Sequence, residues 1–188
     1  MARISALDND MDHILLGEAD IDKITTRIAE EIDRDYKNID GKLVLLGILK
    51  GSVVFMSDLM KKISIPVEID FMKVSSYGSG TTSSGRVNIL LDLHRKDITE
   101  CNIVVIEDII DSGKTLSYLV DYLKLNGAKS VKTCTLLDKP SRREVDFEAD
   151  YVGAEIPNEF VVGYGLDYAE QYRALPYVGV LRPEIYSN

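Results

Sequence analysis

The sequence predicts an α/β protein, a mostly parallel twisted sheet flanked by helices. Three observations carry this. Apolar runs of strand length recur at 43–49, 87–93, 102–108 and 130–138. The most apolar of them are continuous rather than alternating, as in strands covered on both faces. Segments of helical period separate several of them. The residues suited to chemistry fall just after the apolar runs, where ligands bind in such sheets.

The elements follow in order. Residues 20–36 place Ile21, Ile24, Ile28 and Ile32 on one helical face. The run 43–49 reads as a buried strand, followed by Lys50-Gly51 and a helix over 52–63. Residues 66–74 read as a strand. The segment 75–85 is Ser, Thr and Gly with one tyrosine, the composition of a mobile loop. Strands are expected at 87–93 and 102–108, then a helix over 114–128 with Gly127 near its carboxyl end. A further strand covers 130–138. Two short apolar segments, at 150–157 and 160–166, close the pattern.

The 188 residues suit one domain. A 45% hydrophobic share supplies a core, and a net charge of −9 makes nucleic acid an improbable partner. No apolar stretch has the length of a membrane span, and the amino-terminal residues lack the apolar core of a signal peptide. Cys101 and Cys134, in or beside apolar runs, read as buried thiols in a reducing compartment. The expectation is a cytoplasmic protein with neither a membrane nor a nucleic-acid partner.

The chemistry concentrates in Val104–Leu116, VVIEDIIDSGKTL. A nucleoside-triphosphate loop needs Gly where Asp108 stands, so that reading is disfavoured. The turn still suits an anion: the backbone N–H groups of Ser112, Gly113, Lys114 and Thr115, at a helix start, can converge on one phosphate. The adjacent acids Glu107 and Asp108 suit ribose hydroxyls or Mg²⁺, as acceptors and hard oxygen ligands. Phosphate at the turn and diol at the acids describe a sugar 5-phosphate. A plainer reading leaves the acids as a solvated strand end and Asp111 as a helix cap.

The same stretch resembles the phosphoribosyl pyrophosphate signature of the type I phosphoribosyltransferases. LLGILKGSVVF (45–55), LLDKPSRR (136–143) and FVVGYGLDYAEQYRALPYVGVL (160–181) narrow the resemblance to the hypoxanthine-guanine branch. It covers roughly residues 10–185 and implies that family's fold, with a core at about 37–150 and a small hood from about 1–20 and 151–188. The activity it implies is a glycosyltransferase of purine salvage. Glu107 and Asp108 would then hold the ribose hydroxyls and Mg²⁺, and Ser112 to Thr115 the 5-phosphate. Asp111 would be the general acid/base at purine N7. Lys139 would donate to the 6-oxo group, Phe160 would stack on the ring, and Val161 would offer backbone groups to its edge. Asp167 would contact a second Mg²⁺ or the base edge. Lys50, Gly51 and Arg173 would hold diphosphate, and Ser76 and Tyr77 belong to a closing lid. The resemblance also implies a dimer or tetramer. Two alternatives stay open: a xanthine-preferring enzyme, and a nucleotide-sensing regulator on the same fold, against which the acidic balance weighs.

Overall fold

The computed structural model describes residues 6–76 and 87–187. Its main sheet has six strands in the order β4-β3-β2-β5-β6-β7: β2 (Lys42–Ile48), β3 (Glu68–Ser76), β4 (Val87–Leu91), β5 (Cys101–Ile110), β6 (Ser130–Asp138) and β7 (Tyr151–Glu155). All neighbours run parallel except β3 and β4. The mostly parallel sheet is thus as expected. The edges of several elements shift: the helix expected over 52–63 ends at Met60, and the strand expected at 66–74 runs from Glu68 to Ser76. The two residues Ser75 and Ser76 that open the Ser/Gly-rich segment extend β3; Tyr77 and the rest of that segment lie outside the described residues.

Two apolar layers explain why the strands read as continuous runs. Successive side chains of β5 point to opposite faces. Val104 and Ile106 pack with Ile28 and Ile32 of α1 (Glu18–Tyr36) and with Phe55 and Leu59 of α2 (Ser52–Met60). Ile103 and Val105 pack with Leu116, Leu119 and Leu123 of α3 (Lys114–Leu125). The two thiols are free and buried, as expected, and burial raises both above the ordinary thiol range. No helix among the described residues is long and apolar enough to cross a membrane.

A second, antiparallel sheet joins the chain ends in the order β1-β9-β8, from β1 (Met11–Leu16), β8 (Val161–Val162) and β9 (Val178–Leu181). It buries a small core of its own with Met11, Val162, Tyr172, Leu175 and Leu181. Neither β1 nor β9 stands out as a strand in the sequence. A four-residue helix, α4 (Pro183–Tyr186), follows.

The topology fixes where a ligand can sit. From β2 the chain goes on to β3 on one side, and β5 then pairs on the other. The order therefore reverses between β2 and β5, which opens a crevice at their carboxyl ends. Lys50-Gly51 leaves β2 there, and Glu107 and Asp108 lie near the same end of β5.

Candidate active site

The crevice is tight at its base. A Cβ on Gly51 would fall 1.5 Å from the Asp108 carboxylate, so only glycine lets the end of β2 approach β5 this closely. On the other side the Gly51 carbonyl lies 2.1 Å from where a Cβ on Gly165 would sit. Three segments distant in sequence meet at Gly51.

Glu107 and Asp108 do not end the strand, as their sequence context suggested; β5 continues to Ile110. Their electrostatics are uncomfortable. Glu107 Oε2 has no exposed surface and no hydrogen-bond partner in the protein. Burial, reinforced by the charge of Asp108, pushes the Glu107 carboxyl well above the usual carboxylate range. Burial raises Asp108 as well, although the Ile109 N–H donates to it at 2.9 Å. An unsatisfied carboxylate is what a cation or a pair of hydroxyls would relieve. Among the described residues, no three His, Cys, Asp or Glu side chains are gathered to hold a metal ion on their own. Asp167, expected at a second ion or the base edge, pairs with Arg173 at 2.8 Å. The donor set fits instead a Mg²⁺ that arrives with substrate oxygens and takes only one or two protein carboxylates.

Downstream, Gly113 takes the left-handed conformation at φ +80°, and α3 begins at Lys114. The first-turn amides of α3 have no preceding turn to bond to, so the Ser112–Thr115 loop presents donors and the positive helix end together. The N-cap residue Gly113 has no side chain to cap this helix, and the one first-turn amide met by a side chain among the described residues is that of Lys114, which donates to Ser112 Oγ at 3.4 Å. The reading of Asp111 as an N-cap therefore does not hold. Asp111 is instead exposed and faces the Lys139 ammonium, with 3.6 Å between Nζ and Oδ1.

The register of β5 and β6 creates that pair. Ile110 is level with Asp138, and the Lys139 N–H donates to the Ile110 carbonyl at 2.9 Å. Asp111 and Lys139 thus leave the sheet side by side. Lys139 is only 7% exposed, so it is not a solvated turn lysine. Arg143, absent from the sequence-based assignments, donates to the Asp111 carbonyl at 2.6 Å and also pairs with the buried Asp138. It ties the two loops together, although LLDKPSRR gives no signal that its last arginine does so. Lys114, expected at the phosphate, pairs with Glu144.

A cleft of about 530 Å³ opens beside this pair, and Asp108, Asp111, Lys139, Phe160, Val161 and Asp167 all line it. Phe160 is 38% exposed, although it opens an apolar run. Its ring stacks on Tyr186 at 4.6 Å and meets Tyr168 edge-on at 5.7 Å. Tyr186 was not foreseen; it lies twenty-odd residues away on α4, with nothing in the local pattern to mark it. The remaining expected residues sit around rather than in the cleft. Lys50 pairs with Glu170 at 2.9 Å, and Arg173 donates to the Gly165 carbonyl at 2.7 Å while facing Asp167 and Glu170.

A helix start behind a left-handed glycine, two buried acids at a topological switch point and a cleft beside a buried lysine are the parts that a phosphorylated sugar and a planar polar ring would need. A family model, the phosphoribosyl transferase domain, matches residues 14–169, and the chain belongs to the type I phosphoribosyltransferase family, in its hypoxanthine-guanine branch. It is 52% identical to a hypoxanthine-guanine phosphoribosyltransferase of Streptococcus pyogenes, over 97% of this chain and 99% of that protein. It is 53% identical to the bifunctional protein TilS/HprT of Listeria monocytogenes over 97% of this chain, which spans 28% of that relative's length. A hypoxanthine phosphoribosyltransferase structure from Staphylococcus aureus superposes with a TM-score of 0.92 at 49% identity, covering 98% of each chain.

Proposed function

We propose that this chain transfers the 5-phosphoribosyl group of 5-phospho-α-D-ribose 1-diphosphate to hypoxanthine or guanine, releasing diphosphate, as a glycosyltransferase of purine salvage. The observation that carries the reading is the Asp111–Lys139 pair, 3.6 Å apart at the wall of a cleft that Phe160 also lines. A 6-oxopurine needs a donor for its oxo group, a proton acceptor at its imidazole edge and an aromatic face, and these three groups offer that set.

The 5-phosphate lies on the Ser112–Thr115 amides, and the ribose hydroxyls face Glu107 and Asp108. Those carboxylates also favour the positive charge that builds at the anomeric carbon as its bond to diphosphate breaks. Lys139 holds the 6-oxo oxygen, Val161 offers backbone groups to the base edge, and Phe160 keeps the ring in plane. Asp111 takes the proton leaving the purine nitrogen. Bound with the substrate, Mg²⁺ would neutralise the leaving diphosphate. Glu107 and Asp108 would hold it, with Asp167 at a second ion or the base edge. Gly51 leaves room for the diphosphate, with Lys50 and Arg173 as its cations. Closure of a lid that includes Ser76 and Tyr77 would exclude water from a hydrolysis-prone intermediate. The antiparallel sheet of the chain ends acts as the hood over a core of about residues 37–150, and the working form is a cytoplasmic homo-oligomer.

The test is turnover of phosphoribosyl diphosphate with hypoxanthine, guanine, xanthine and adenine in parallel. Adenine carries no 6-oxo acceptor for Lys139, so hypoxanthine and guanine should react and adenine should not. Turnover with adenine alone, or with no base, sinks the assignment.

A further inference from the structure

Glu170 has no role in the sequence reading, yet it touches both side chains expected to hold diphosphate. Its Oε2 lies 2.9 Å from Lys50 Nζ and 3.4 Å from Arg173 Nη2. One carboxylate oxygen therefore bridges the two cations much as a phosphoryl oxygen would. The side chain is 65% exposed, so nothing packs it in place. The main chain is held independently, since the Glu170 N–H donates to Asp167 Oδ2 at 2.9 Å. Ala169, Glu170 and Tyr172 all have positive φ, at 50°, 64° and 73°. A turn that places three non-glycine residues in the left-handed region holds the carboxylate over Lys50 at some conformational cost.

We propose that Glu170 is an internal stand-in for the leaving diphosphate: it bridges Lys50 and Arg173 until a diphosphate displaces it, and it thereby sets the affinity of that subsite. The inference rests on the functional reading above, and it makes Glu170 a positioning residue that acts through its two cations. A diphosphate carries more charge than one carboxylate and prevails in the exchange, but at reduced affinity, because the Glu170 contacts are lost as its own are gained. The carboxylate then returns as the diphosphate leaves, which favours release.

The test compares the whole protein with Glu170→Gln and Glu170→Gly by calorimetric titration with inorganic diphosphate and, separately, with IMP, both with Mg²⁺ present. The glycine variant suits φ 64° and guards against a misfolded turn. Diphosphate should bind roughly three- to tenfold tighter in both variants, the scale of two exposed ion pairs. IMP affinity should not change. In turnover, the KM for phosphoribosyl diphosphate and kcat should fall together, because release slows. Unchanged or weaker diphosphate binding in the variants overturns the proposal, as does an equal gain for IMP. If the wild type binds neither ligand, the functional reading fails and the proposal falls with it.

Discussion

At the scale of single residues, the proposed chemistry rests on Asp111 and Lys139. Asp111 makes no cap bond, so Asp111→Asn should melt within a degree or two of wild type. Its kcat should fall by about 10²–10⁴, the usual contribution of a general acid/base. A normally folded variant with near-wild-type kcat would refute the role. Lys139→Ala should raise KM for hypoxanthine and guanine about 10- to 150-fold through loss of a charge-assisted hydrogen bond. The KM for phosphoribosyl diphosphate should move little, and equal effects on both substrates would remove Lys139 from the base pocket. Glu107 offers a pH test. Its folded pKa lies well above the ordinary value of about 4.3. Between the two, the folded chain holds a proton that the unfolded chain has released, so stability falls as pH rises. Glu107→Gln should therefore out-melt the ligand-free wild type at pH 8, by about 2–10 °C. The gap should shrink toward pH 5, and thermal melts at the two values check this.

At the scale of elements, the turn between β5 and α3 is the most constrained piece. Gly113 sits at φ +80°, and a Cβ there would meet Arg143 Cδ at 2.9 Å and Val145 Cγ2 at 3.1 Å. Gly113→Ala should cost about 1–2 kcal/mol from the left-handed backbone, or roughly 2–8 °C in Tm at this chain length. Because the same turn presents the amides proposed to hold the 5-phosphate, the substrate KM should rise in the same variant. A variant that loses stability but keeps its KM would separate the turn from the phosphate. Neighbouring elements share this dependence: Arg143 joins the loop after β6 to the loop after β5, and Gly165 packs on Gly51. The site is a junction of loops held in register by the parallel sheet beneath.

At the scale of the whole molecule, the carboxylates around the crevice make metal dependence a sharp expectation. Excess EDTA should abolish turnover, and Mg²⁺ should restore it. Without the cation, a diphosphate leaving group would face Glu107 and Asp108 uncompensated. Full turnover without divalent metal would remove both from their proposed place.

The sequence by itself determined the layered α/β class, most of the main-sheet strands and the three helices that cover them, because burial on two faces forces apolar runs and helical period at short range. It also marked the turn at Gly113 that opens the third helix, since a left-handed glycine is needed there whatever surrounds it. The tertiary structure alone decided the second sheet. β1 and β9 form strands by pairing with each other across the chain ends, and no local pattern announces a partner some 170 residues away. It also decided the pairing of Asp111 with Lys139, the link through Arg143, the Tyr186 stack and the bridge by Glu170. Each of these contacts is fixed by strand register and loop approach, and those are set only when distant segments pack.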